Sequence, residues 1–222
     1  MILQPLPPRI LSVRRIPNAD PALLAAYGAD PKRHRSLGLV TVDQDDPTYV
    51  ALDEATKHAN VDVVFAKSFY AGARHASGPL AGEILGVLAA ADPEEIDEGI
   101  RALVRCLESD ACFYAADESK QTAVFPHVIA SLGHYLSAQA GLSPGEAMAY
   151  LVAPPMEATV GFDMALKTAN VRSIKFFPPP TETNFAAAWL TGPLESCEAA
   201  ALSFCEAVVR VAANPKGEVW GG

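Results

Sequence analysis

The sequence predicts an α+β fold built twice in tandem. Three observations carry that expectation. A motif recurs at a fixed distance, matched apolar strands surround both copies, and a helix opened by proline closes each half. The motif is DEATKHANVDVV at 53–64 and DMALKTANVRSI at 163–174. Asp53/Asp163, Ala55/Ala165, Lys57/Lys167, Ala59/Ala169, Asn60/Asn170 and Val61/Val171 recur in step, and 163 − 53 = 110, half of the 222 residues.

The elements follow in order. RILSVRRI (9–16) reads as a strand and PALLAAYG (21–28) as a helix. RSLGLVTV (35–42) alternates and is β-branched, so it reads as a strand. The motif itself reads as a helix, because Asp53–Lys57 and Asp163–Lys167 are i,i+4 pairs with the acid N-terminal. VDVVFAK (61–67) is the next strand, SFYAGARHASGP (68–79) an aperiodic loop, and GEILGVLA (82–89) a third strand of the core. Asp92-Pro93-x-Glu95 has the layout of an N-cap, an N1 proline and a capping box. The second half repeats the series. ACFYAAD (111–117) reads as a strand, TAVFPHVIASLGHYL (122–136) as a helix, and EAMAYLVA (146–153) as a strand. After the second motif come VRSIKFF (171–177), PPPTETNF (178–185), AAAWLTG (186–192) and a helix opened by Gly192-Pro193-x-Glu195. Leu194, Cys197, Ala201, Phe204 and Val208 form its apolar stripe. The division into domains falls at 1–110 and 111–222. Two similar halves present two similar edges, so three chains can imitate a six-fold ring.

Composition bounds the function. Half of the residues are hydrophobic and 19% are charged, which suits a packed core. A net charge of −9 argues against nucleic acid and anionic membrane as partners. No apolar run reaches the ~18 residues of a membrane span. The opening MILQPLPPRILSVRRIP lacks the order of a signal peptide, so a cytoplasmic location is expected. Cys106, Cys112, Cys197 and Cys205 form no CxxC and read as structural thiols.

Chemistry-bearing stretches are few. DQDDPTY (43–49) gathers Asp43, Asp45 and Asp46, which suit a cationic ligand or, equally, a solvated turn that caps the next helix. It lacks the glycine and glutamate of a calcium loop. SFYAGARHASGP holds Phe69, Tyr70, Gly72, Arg74 and His75 and suits either a gate or an ordinary exposed loop. In PPPTETNF, Pro178, Pro179 and Pro180 stiffen a polar tip of Glu182, Thr183 and Asn184. His127 and His134, seven apart on the expected helix, read as structural, and no histidine spacing indicates a metal site. No hydrolase, dinucleotide or phosphate-loop motif is present.

The D-x-A-x-K-x-A-N-V segment resembles the helix motif of bacterial microcompartment (BMC) shell domains. RSLGLVTVDQDDPTYVALDEATK, SFYAGARH, AMAYLVAPPMEATVGFDMALK and PPPTETNF extend the resemblance over residues 35–192. The whole chain looks like the tandem, circularly permuted L-type shell proteins of ethanolamine-utilisation compartments. That resemblance implies two tandem permuted BMC domains, a pseudo-hexameric homotrimer tiled with other shell proteins, and no catalysis. It implies a central pore for small metabolites gated by 68–79 and 178–185, and Lys57 and Lys167 at the lateral edge. It further implies an ethanolamine site including Asp45, Asp46, Glu83, Phe113, Thr183 and Asn184, beside Phe185 where a tyrosine is expected. Cobalamin is a second implied ligand; no resident cofactor or metal is required. The alternative is a trimeric small-molecule sensor or enzyme with Asp45, Asp46 and Glu83 as its site. Extended two-dimensional sheets favour the tile; a discrete trimer with turnover favours the alternative.

Overall fold

The structure, a computed structural model, describes residues 3–69, 83–179 and 185–217. They form two compact units, and the sequence halves exchange short segments between them. The first unit is Pro7–Ala111 with Leu132–Pro144; the second is Met1–Leu6, Cys112–Ser131 and Gly145–Gly222.

In the first unit, strands β2 (Ile10–Ile16), β3 (Ser36–Val42), β4 (Asp62–Phe69) and β5 (Glu83–Ala90) form an antiparallel sheet in the order β2-β3-β5-β4. Helices α2 (Asp45–His58) and α3 (Pro93–Ser109) cover one face. Glycine makes that approach close: a Cβ on Gly38 would lie 2.9 Å from Ile96, and one on Gly86 3.0 Å from Leu52. On the other face Leu24 of α1 (Pro21–Ala26) joins Leu37, Val87 and Ala89 in a second apolar cluster. The short helix α4 (His134–Ala140) lies against α2.

In the second unit, β1 (Gln4–Leu6), β6 (Phe113–Ala115), β7 (Ala123–Ile129), β8 (Met148–Ala153), β9 (Arg172–Phe177) and β10 (Ala186–Thr191) form a sheet in the order β1-β6-β7-β8-β10-β9. Helices α5 (Pro155–Thr168) and α6 (Leu194–Ala213) pack on it, with Phe162 stacked on Phe204 at 5.2 Å.

The duplication is visible in the fold. The order β7-β8-β10-β9 repeats β2-β3-β5-β4. Helices α2 and α5 both have 14 residues and begin 155 − 45 = 110 residues apart. Their ends repeat bond for bond: Ala59 N–H donates to Ala55 and Ala169 N–H to Ala165, at 3.1 and 3.2 Å; Val61 then donates to Ala59 and Val171 to Ala169, both at 2.9 Å.

Three expectations fail locally. The stretch 122–136 is not one helix: it is β7, then α4. Val124 faces the α5/α6 core while Phe125 meets Tyr150 on the opposite face, so the first half of the strand is buried on both sides and shows no alternation. His127 therefore stacks on Phe125 at 5.3 Å in a strand, whereas His134 opens α4. Asp92 makes no side-chain cap, and the Glu95 carboxylate accepts from Asn60 N–H at 2.7 Å instead of closing a capping box. Lys57 pairs with Glu54, one turn back, because Asp53 is engaged elsewhere.

Candidate shell-protein sites

The acidic end of the first unit is assembled by α2, β4 and β5. Asp45 and Asp46 occupy the first turn of α2, where exposed N–H groups favour negative charge. Both are buried. Asp45 Oδ1 accepts from Asp46 N–H at 2.9 Å, and Asp45 Oδ2 accepts from the Ser68 hydroxyl. Ser68 belongs to β4, which runs two residues further than the sequence predicts, so Phe69 is a strand residue paired with Glu83. Glu83 opens β5, and its Oε2 is buried without a hydrogen-bond partner among the described residues. Asp45, Asp46 and Glu83 thus lie towards one end of the sheet, but the alternation of β5 puts Glu83 on the face of Leu85, Val87 and Ala89, opposite the one that α2 covers. Asp43 is turned to other work, accepting from Arg9 N–H at 2.6 Å.

Phe113 and Phe185 belong to the second unit. Phe113 is 1% exposed, with Phe125 at 5.0 Å and Phe185 at 6.1 Å between ring centroids, so it sits within an aromatic core. Thr183 and Asn184, and the gate residues Tyr70, Gly72, Arg74, His75 and Glu182, lie outside the described residues. Of the gate set, only Phe69 is described; it is partly exposed at the end of β4.

The two lysines of the motif end their helices differently. Lys167 pairs with Asp163 at 2.6 Å, and both side chains are largely exposed. The Lys57 side chain is 24% exposed and pairs with Glu54, whose other oxygen meets His58 at 2.9 Å. A cleft of about 630 Å³ lined by Thr56, Lys57, His58, Asn60, Glu95 and His134 opens beside it.

Sequence reasoning missed two features. Asp53 is fully buried; its Oδ2 accepts from Gly133 N–H at 2.7 Å and its Oδ1 from Leu136 N–H at 2.8 Å. Thr56 Oγ1 accepts from His134 N–H at 3.0 Å, and a Cβ on Gly133 would lie 2.4 Å from that oxygen. Burial of the Asp53 charge raises its pKa above the ordinary value, although the Leu136 and Gly133 bonds oppose this. The only sequence signal was a glycine before a short apolar helix. The second feature is a clamp at the start of β4. His34 Nδ1 accepts from Asp30 N–H at 3.1 Å, which leaves its Nε2–H to donate to Asp62 at 2.9 Å; Arg33 joins the same carboxylate at 3.0 Å.

The cysteines lie in packed surroundings. Burial pushes the Cys106 thiol up to about 12 and the Cys205 thiol up to about 11. Among the described residues no group of three or more His, Cys, Asp or Glu is placed to hold a metal ion, and no helix is long and apolar enough to cross a membrane.

A family profile for the BMC domain matches residues 36–114. The microcompartment shell protein EutL of Clostridium perfringens is 50% identical over 210 residues, covering 95% of this chain and 96% of its own. The chain belongs to the EutL family of bacterial microcompartment shell proteins. A crystal structure of Clostridium perfringens EutL superposes with a TM-score of 0.91 at 48% identity, covering 99% of both chains. The ethanolamine utilization protein EutL of Leptotrichia buccalis does so with 0.91 at 47% identity, covering 97% of this chain and 99% of its own. The BMC match spans β3 to β6, and the EutL relationship extends it over the second copy, whose strand order is the same. The tandem BMC architecture and the shell role follow from this membership.

Proposed function

We propose that the chain is a non-catalytic tile of an ethanolamine-utilisation compartment shell in the bacterial cytoplasm. It assembles as a homotrimer with a pseudo-hexagonal outline, and it packs edge to edge with other shell proteins through Lys57 and Lys167. The observation that carries the reading is the repeated strand order with its two 14-residue helices set 110 residues apart, which gives one chain two halves of the same build, so that three chains supply six. Residues 68–79 and 178–185 frame a central pore for small metabolites, with cobalamin as a candidate effector. Asp45, Asp46 and Glu83 bind a small amino-alcohol cation such as ethanolamine. Support for that site is the buried Glu83 Oε2 without a partner among the described residues, at the sheet end where α2 begins with the buried Asp45 and Asp46. An ammonium group would answer that acceptor with a charge-assisted hydrogen bond.

Light scattering on the purified chain should give a trimer, and calorimetry with ethanolamine should give weak binding, with a Kd of millimolar order, that Glu83→Gln removes. A monomer would overturn the tile reading; binding unchanged in Glu83→Gln would overturn the site.

A further inference from the structure

Helices α1 and α4 are counterparts in the duplicated fold. Each begins five residues after its strand ends: β2 ends at 16 and α1 starts at 21, β7 ends at 129 and α4 starts at 134. The offset 134 − 21 = 113 makes Leu23 the counterpart of Leu136. Their surroundings differ. Leu136 is 1% exposed, and its N–H is taken by Asp53 of α2. Leu23 is 37% exposed.

The surfaces these helices would use differ in the same sense. On α2, Asp46, Asp53 and Thr56 are buried. At +110 on α5 stand Met156, Asp163 and Leu166, all exposed, with Met156 at 66%. Positions i, i+7 and i+10 share one helix face; Asp53 and Thr56 hold α4 there, so α5 is uncovered at Asp163 and Leu166 where α2 carries α4, and Met156 continues the exposed stripe towards the start of α5. Unlike others, such as Leu202 and Phe176, two of the uncovered faces among the described residues are counterparts of this covered pair. One is Ala22, Leu23, Ala25 and Ala26 of α1; the other is the Met156–Leu166 stripe of α5.

We propose that Leu23 of one copy packs on the Met156–Leu166 stripe of a second copy, as α4 lies on α2 within the chain. Leu23 N–H is a first-turn donor that α1 does not itself satisfy, and Asp163 holds the position from which Asp53 accepts Leu136 N–H. Asp20 replaces Gly133 and caps Ala22 itself at 2.8 Å, so the contact between copies centres on Leu23. The contact is heterologous, and a heterologous contact that closes makes a ring; closure at three copies rests on the trimer reading above.

The test uses the full chain. Leu23→Asp and, separately, Leu166→Asp should each elute as monomers by light scattering while keeping the circular-dichroism spectrum of the parent. Met156→Lys replaces either variant that fails to fold. A chain carrying Leu23→Cys and Leu166→Cys should form dimer and trimer bands on mild oxidation that neither single variant forms. A trimeric parent whose folded variants stay trimeric, with no such bands, overturns the contact and leaves the trimer standing. A monomeric parent overturns the trimer reading, and absence of the bands in it overturns the contact as well.

Discussion

Asp53→Ala tests the clamp that holds α4. The carboxylate accepts two backbone N–H bonds, at 2.7 Å from Gly133 and 2.8 Å from Leu136, and all three residues are buried. Hydrogen bonds to a charged acceptor contribute ~1.5–3 kcal/mol each, and an abandoned buried donor costs about as much. Against this stands the cost of burying the charge, which outweighs the hydrogen bonds in setting the carboxyl pKa and is recovered when the side chain is removed. A net loss of about 2–4 kcal/mol in the first unit is expected. Asp97→Ala is the internal control: it removes an exposed ion pair with Arg15 in the same unit, worth at most about 1 kcal/mol. Urea denaturation at fixed protein concentration measures both, and hydrogen exchange at the amides of 133–136 localises the effect. The Asp53 carboxyl sits above its ordinary 3.8, so the folded state holds that proton more tightly than the unfolded one. The part of its contribution that is linked to this proton is then full below pH ~4 and is lost as pH rises through the folded value, while the backbone hydrogen bonds remain. The stability difference between the parent and Asp53→Asn should narrow over that window. A loss under 1 kcal/mol in Asp53→Ala, with unchanged exchange at 133–136, would refute the clamp.

Gly161→Ala should cost about 1–3 kcal/mol by overpacking, because its Cβ would lie 2.5 Å from the Phe204 ring; a melting temperature equal to the parent's would contradict the close α5/α6 approach. Cys106 and Cys205 should resist a thiol reagent at pH 8 until the chain unfolds, since burial holds both thiols near or above 11; labelling of either at the rate of an exposed thiol would show that they are not packed. Lys57→Asp with Lys167→Asp should leave the oligomer intact and abolish two-dimensional sheets in electron micrographs; normal sheets would remove the lysines from the lateral edge.

The duplicated core was legible because its signals are local. The 110-residue offset, the β-branched alternation of 36–42 and the apolar stripe of α6 each report one element without help from the rest. The same is true of Lys167, whose i,i+4 acid is in place and whose ion pair forms as the spacing predicts. Legibility ended where a residue's partner comes from far along the chain. Asp53 and Asp163 hold one position in one motif, yet one is fully buried and the other exposed. What separates them is α4, some 80 residues beyond Asp53, and nothing within a helical turn announces it. β7 escaped for a related reason: burial of its first half on both faces erased the alternation that marks a strand.

The divergence of the two aspartates bears on how the tile is made. A duplication by itself would give two interchangeable edges. Here the first copy has drawn a helix from the second half onto α2, so Asp53 is spent as an internal cap and Lys57 turns to Glu54. The second copy keeps its Asp163–Lys167 pair in solvent and leaves Met156 and Leu166 uncovered beside it. Equal sequence positions therefore carry unequal surfaces: α2 is covered from within by α4, and the same face of α5 is bare. A head-to-tail contact needs two different, complementary uncovered surfaces on each chain, which the proposal above finds in the α1 face and the α5 stripe, whereas a single self-complementary patch would favour a two-fold pair.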